Sequence, residues 1–247
     1  MFEVSVRPQE KVSSPTLEYG MMGYILLLAV ILRILWLGTP CYWLDEVIQA
    51  RTALAPTFGQ SMALVPLNKP HLFYVLQFFL ARISVNEWIF RMPSFLAGAA
   101  SIPVMWALTR LVYEKPWPAL FAASLLATSP LHIQYSQEAR PYALFFFFAL
   151  AGVWAMFASL KNSSRPRLIL AAVLPALSGW TMYFGIGLFG LQIVWVGGLL
   201  LRADRQQSMS FVGYDRRAVR KTLNALLCSF IFLIPLLFRL IWMRSEK

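Results

Sequence analysis

Three short polar clusters interrupt an otherwise apolar chain, and each holds residue types that do chemistry. The first is Trp43-Leu44-Asp45-Glu46. Asp45 and Glu46 are the best pair of acids in the sequence. VIQARTALA follows them and reads as a short interfacial helix, on which Asp45, Gln49 and Thr52 share a face by their spacing. Either the acids are a solvated pair anchoring that helix, or one is a general base at the mouth of a lipid-lined cavity. The second cluster is Asn68-Lys69-Pro70-His71, where Pro70 opens a second interfacial helix. Lys69 can meet a phosphate or an ordinary headgroup. His71 can be a hydrogen-bonded histidine or a metal ligand. The third cluster runs Tyr135-Ser136-Gln137-Glu138-Ala139-Arg140-Pro141-Tyr142. Pro141 begins a helix there, so Arg140 stands where backbone N–H groups attract anions, and its planar fork suits a phosphate. The alternative is a helix cap with a Glu138–Arg140 salt bridge.

Long apolar elements must position these clusters. Hydrophobic residues are 59% of the 247 and charged ones 13%, with a mean hydropathy of +0.61. A soluble domain carries about 25% charged residues, so the excess must face lipid. This excludes a cytosolic enzyme, a disordered chain and a secreted disulfide scaffold. Cys41 and Cys228 form neither a CxxC pair nor a zinc pattern. The net charge of +11 reads as Lys and Arg kept in cytoplasmic loops, not as nucleic-acid binding.

Apolar runs cover 20–38, 89–110, 117–134, 141–160, 168–183, 185–201 and 222–243. The first is too long for a signal-peptide core, and Arg33 near its end can snorkel. The 71–84 run, HLFYVLQFFLARIS, is short for a span. If it lies on the membrane and the N-terminus is cytoplasmic, 13 of the 22 Lys and Arg are cytoplasmic; if it crosses, 11 of those 13 move outside. The positive-inside rule favours the first arrangement. The expected fold is an all-α bundle of about seven spans. Its large outer loop, 39–88, carries two interfacial helices, and a second outer loop covers 135–140. Residues 1–19 form a cytoplasmic tail, 20–243 the membrane domain and 244–247 a C-terminal tail. Trp36, Trp88, Trp180 and Trp242 then fall near the outer ends of spans. Asn162-Ser163-Ser164 is a sequon on the cytoplasmic side, expected to be unmodified. Arg244 and Lys247 fall on the wrong side for this arrangement. All three polar clusters meet on the outer face.

In this order, WLDE, NKPHLFY, NEWIFRMPSFLAGA and SPLHIQYSQEARPYAL resemble the polytopic glycosyltransferases of the GT-C class, over about residues 22–200. The nearest branch is similar to protein O-mannosyltransferases and lipid A aminoarabinose transferases. The resemblance implies Asp45 as the base with Glu46 its neighbour, and Lys69 at the donor phosphate. Arg140 faces the same site, and Arg91 heads a span. His71, Tyr135, Gln137 and Glu138 would surround the substrate. Asn68 stands where relatives often have Glu, a metal ligand, and Glu138 stands where oligosaccharide-transferring relatives carry Asp. A divalent metal is an open question, with Glu46, His71 and Glu138 as its candidate ligands. Such enzymes are usually about twice as long, so the resemblance implies a second chain completing the site or a truncated product.

The implied reaction moves a sugar from a polyprenyl phosphate to a hydroxyl acceptor, with inversion, outside a bacterial inner membrane. A polyprenyl phosphate leaves readily, so one carboxylate base and fixed cations suffice. A sugar nucleotide would call for a Rossmann-type domain, for which there is no sequence signal. The alternatives are a non-catalytic relative that binds lipid-linked sugar, and a transporter. Transporters place polar groups at the midplane, whereas the polar groups here gather at one face.

Overall fold

The computed structural model describes residues 15–205 and 214–245. Most of the 1–19 tail, part of the 202–221 loop and the end of the C-terminal tail lie outside the described residues. All regular structure among the described residues is helical.

Helix α1 (Pro15–Ile34) starts five residues inside the expected tail. The first loop then carries α2 (Leu44–Ala53), α3 (Phe58–Ala63) and α4 (Leu72–Leu80), three helices where the sequence suggested two. The extra one, α3, is set by Thr57, whose hydroxyl accepts the Gln60 N–H while Gln60 Oε1 accepts the Thr57 N–H. At nine residues α4 is far too short to cross a bilayer. Then come α5 (Glu87–Tyr113), α6 (Pro116–Thr128), α7 (Pro130–Ser136), α8 (Tyr142–Lys161), α9 (Arg165–Thr181), α10 (Phe184–Arg205), α11 (Arg216–Ser229) and α12 (Ile234–Ser245), the last two joined by a 3₁₀ turn.

Five stretches are long and apolar enough to cross a membrane: Pro15–Ile34, Glu87–Tyr113, Tyr142–Lys161, Phe184–Arg202 and Arg216–Arg239. Two expected spans fall short of that standard. The 168–183 run lies in the 17-residue α9. The 117–134 run is broken at Ser129, which is extended because Pro130 follows it.

That break explains why Arg33 does not snorkel. It is fully buried. Its guanidinium donates to the Ala127 and Leu126 carbonyls at 3.0 and 3.2 Å, and to His132 Nδ1 at 2.7 Å. Those carbonyls lie in the last turn of α6, where a cation is favoured. Arg33 therefore pins α1 to the α6–α7 corner.

Helices α8 and α9 approach closely where α8 presents Gly152 to Pro175. A Cβ on Gly152 would lie 2.9 Å from the Pro175 ring. One core cluster joins α8 to α12 through Met156, Phe189, Leu226 and Leu236. A second joins α1, α5 and α6 through Met22, Ala29, Ile102 and Ala123. Leu27, Leu28 and Ile31 on α1, and Leu191 and Val194 on α10, stay exposed, as lipid-facing residues should. The helices run to and fro between two ends. Lys161, Arg165, Arg167, Arg202, Arg216, Arg217, Arg220 and Lys221 gather at one end, and the three polar clusters at the other.

Candidate functional site

The two acids of the first cluster have different fates. Glu46, in the first turn of α2, is fully buried. Its Oε2 accepts from Arg91 Nη2 at 2.8 Å and from the Trp43 N–H at 3.0 Å. Its Oε1 accepts from Arg91 Nε at 3.1 Å and from the Ala139 N–H at 2.6 Å. Arg91 also donates to the Leu37 carbonyl at 2.8 Å. Burial alone would raise the Glu46 pKa; the Arg91 hydrogen bonds and the two N–H donors outweigh it and hold the carboxyl below its usual range. Glu46 thus fastens the end of α1, the start of α2, the head of α5 and the second loop together. Both its oxygens are engaged.

Asp45 points the other way. It is half exposed, and its Oδ2 lies 2.8 Å from Arg140 Nη2. Arg140 also donates to the Tyr142 hydroxyl at 2.8 Å, with its guanidinium 4.7 Å from that ring's centre. Tyr135 packs on Tyr142 with ring centres 4.7 Å apart. Ser94 on α5 donates to the Arg140 carbonyl at 2.9 Å, fixing the backbone that carries it. The alternative Glu138–Arg140 bridge is not what forms: Arg140 turns to Asp45. Glu138 is buried, accepts from Gln134 at 3.0 Å through Oε1, and keeps Oε2 without a protein partner. Gln137 donates to the Leu32, Arg33 and Leu35 carbonyls and so closes the end of α1.

Lys69 lines a cavity of about 130 Å³ with Asn68, Tyr74, Pro141, Thr181 and Tyr183. Pro70 precedes α4 instead of opening it; His71 is the N-cap residue. Tyr74 joins the cavity to the ion pair. Its hydroxyl is pushed up to about 12 by burial and by Asp45, with Arg140 opposing. Tyr74 thus lines the cavity while its hydroxyl feels the charges of Asp45 and Arg140, which places the ion pair near the cavity between α4 and the α9–α10 turn.

His71 meets Arg239 of α12, which donates to its ring. Burial and that guanidinium push its pKa down, against a hydrogen bond with the Met62 backbone. The three candidate metal ligands are not brought together. Glu46 is fully engaged, His71 faces Arg239, and no group of three or more His, Cys, Asp or Glu among the described residues could hold an ion. The residues present do not fit a metal site built from those three.

Sequence reasoning missed Tyr74, Tyr183 and Arg239. Tyr74 is the only hydroxyl in HLFYVLQFFL, and Arg239 is a lone cation in IPLLFRLIW. An ionisable residue in so apolar a run is itself a functional signal.

Residues 66–242 match the profile of the dolichyl-phosphate-mannose-protein mannosyltransferase family. A Bacillus subtilis (strain 168) protein named "Putative mannosyltransferase YkcB" is 24% identical over 160 residues, which cover 60% of this chain and 22% of that protein. The match therefore spans under a quarter of that relative. No solved structure matches the chain.

Proposed function

Because the chain belongs to the dolichyl-phosphate-mannose-protein mannosyltransferase family, we propose that this integral membrane protein transfers a sugar from a polyprenyl phosphate to a hydroxyl acceptor. The reaction takes place outside a bacterial inner membrane and inverts the anomeric carbon. The basic end of the bundle is cytoplasmic, together with the N-terminus.

The observation that carries this reading is the Asp45–Arg140 pair beside the cavity that Lys69 lines. Arg140 and Lys69 hold the donor phosphate and stabilise its charge as the bond to the anomeric carbon breaks. The incoming phosphate competes with Asp45 for the guanidinium. Asp45 is released to take the acceptor's proton as the hydroxyl attacks in line. Glu46 and Arg91 position Asp45 by fixing α2. His71, Tyr135, Gln137 and Glu138 support the loops around the substrate. The polyprenyl tail lies in the apolar groove of about 480 Å³ between α4, α5 and α8, lined by Leu76, Phe79, Leu96 and Phe147.

A second reading is binding of a lipid-linked sugar without transfer, alone or as a subunit completed by another chain. The observation behind it is that Arg140 engages the Asp45 carboxylate in an ion pair, which holds the base away from proton transfer. Purified chain incubated with labelled polyprenyl-phosphate sugars separates the two. Transfer of label that Asp45→Asn abolishes supports catalysis; donor binding without transfer supports the second reading.

A further inference from the structure

The loop from Val65 to His71, between α3 and α4, has little regular structure of its own, yet it presents Lys69 to the cavity. Its carbonyls need partners, and two side chains from far along the chain supply them. Arg239 Nη2 donates to the Val65 carbonyl at 3.0 Å and the Pro66 carbonyl at 3.2 Å. Its Nη1 contacts the His71 ring, 2.8 Å from Nδ1. Tyr183 donates to the Leu67 carbonyl at 3.0 Å. One guanidinium thus grips both ends of the loop, and a phenol holds its middle. Within the loop, the Lys69 N–H donates to the Pro66 carbonyl at 2.9 Å, so the turn carrying Lys69 hangs on a residue that Arg239 holds.

A guanidinium in an apolar segment is costly unless its donors are satisfied. Both Nη groups of Arg239 find acceptors in the loop, while its buried Nε has no hydrogen-bond partner among the described residues. Arg239 follows Leu236, Leu237 and Phe238, and its partners in the loop are all neutral. A flat fork with several donors can reach three acceptors in fixed directions, which an ammonium on a flexible stem cannot do. We infer that Arg239 is a positioning residue: it spans the loop from Val65 to His71 and holds Lys69 at the cavity in the orientation that meets the donor phosphate. This rests on the reading of Lys69 given under the proposed function. It also gives the basic residue near the outer end of the last span a task there.

The test is a double-mutant cycle on the purified full chain in detergent, with undecaprenyl phosphate as the probe and tryptophan fluorescence as the readout. Lys69→Ala weakens binding about 10-fold or more, as expected for a lost charge-assisted contact. Arg239→Ala weakens it by a similar factor, and Arg239→Lys does not restore it. In the Lys69→Ala background, Arg239→Ala costs under about 2-fold, because its effect passes through Lys69. Where Arg239→Ala does not fold, Arg239→Gln and Tyr183→Phe carry the same cycle. Binding unchanged in the Arg239 variants while Lys69→Ala weakens it overturns the inference and leaves the donor site standing. So does an Arg239 loss of equal size in both backgrounds. Unchanged binding in Lys69→Ala alone overturns the donor-site reading, and the inference with it.

Discussion

The Asp45 carboxylate meets the Arg140 guanidinium at 2.8 Å, joining the loop after α1 to the loop before α8. Both groups keep access to solvent, with 55% and 25% of their side chains exposed, so an incoming anion can reach the pair. Its neighbour Glu46 lies in a fully buried pair with Arg91. Adjacent acids therefore divide the work: Glu46 builds the corner and Asp45 is left exchangeable.

Asp45→Asn keeps the shape and removes the basic oxygen. Turnover is expected to fall at least ~100-fold, within the range of general-base catalysis. Donor binding is expected to hold or tighten, because Arg140 loses its competing carboxylate. Initial rates with labelled donor, alongside equilibrium binding, check both halves. Activity within a few-fold of the parent would make Asp45 a structural anchor.

Arg140→Ala is expected to weaken donor binding about 10- to 150-fold, the equivalent of roughly 1.5–3 kcal/mol. Arg140→Lys is expected to recover only part of it, since the fork is lost. Combined with Lys69→Ala, the losses should depart from additivity by more than ~0.5 kcal/mol if both cations share one phosphate. Simple addition would assign them to separate sites.

Glu46→Gln leaves Arg91 buried without its counter-charge. A loss of about 3–5 kcal/mol in stability is expected, read as a lowered midpoint of thermal or denaturant unfolding in detergent. Replacing both partners, in Glu46→Gln/Arg91→Met, should cost less than Glu46→Gln alone. Equal losses would mean that the charge pairing is not what holds the corner.

His71 supplies a pH dependence with a definite sign. Its folded pKa lies below its ordinary value of 6.5, so the unfolded chain binds the proton more readily. Stability then rises with pH through the window just below 6.5 and falls as the medium is acidified. Glu46 is also depressed, below its ordinary 4.5. Its contribution is present above that value and is lost only as pH falls below it. Unfolding midpoints between pH 5 and 7 should therefore report on His71 together with His132, which burial and Arg33 also hold below its ordinary value, and His71→Gln should reduce that slope in part. An unchanged slope would exclude His71 as its source.

Cys41 is exposed between α1 and α2, and Asn162 lies between α8 and α9 at the basic end. A membrane-impermeant maleimide added to intact cells should label Cys41. It should reach an Asn162→Cys variant, built without Cys41 and Cys228, only after permeabilisation. The reverse pattern would invert the topology.

Much of this was legible in the sequence, and the misreadings have specific causes. Hydropathy found the long helices, and residue chemistry found the clusters that meet at one end. On α2, the spacing of Asp45, Gln49 and Thr52 is helical, but the buried set is Glu46, Gln49, Thr52 and Ala53. The alternative phase starts one residue later and has similar periodicity. Which one faced inward depended on Arg91, a partner on another helix. Arg33 looked like a snorkelling residue because hydropathy cannot show that Pro130 breaks a neighbouring run and turns the Leu126 and Ala127 carbonyls to Arg33. The Arg239 contact with His71 joins residues 168 positions apart, and no local pattern announces it.

Arg33 sets an order on how the chain is made. Its acceptor at Ala127 lies 94 residues downstream. At a synthesis rate of ~5–20 residues per second, α1 waits roughly 5–20 s before α6 emerges. During that interval the guanidinium has only the Ala29 carbonyl of its own helix, and it is expected to reach toward the headgroups at that end, as a snorkelling arginine does. We therefore expect α1 to stay close to the insertion machinery until the α6–α7 corner arrives. Crosslinks from α1 in ribosome-bound chains halted before and after residue 127 would show it, by persisting in the shorter chains and vanishing in the longer ones. Crosslinks that vanish before residue 127 is made would show that α1 needs no such partner to leave.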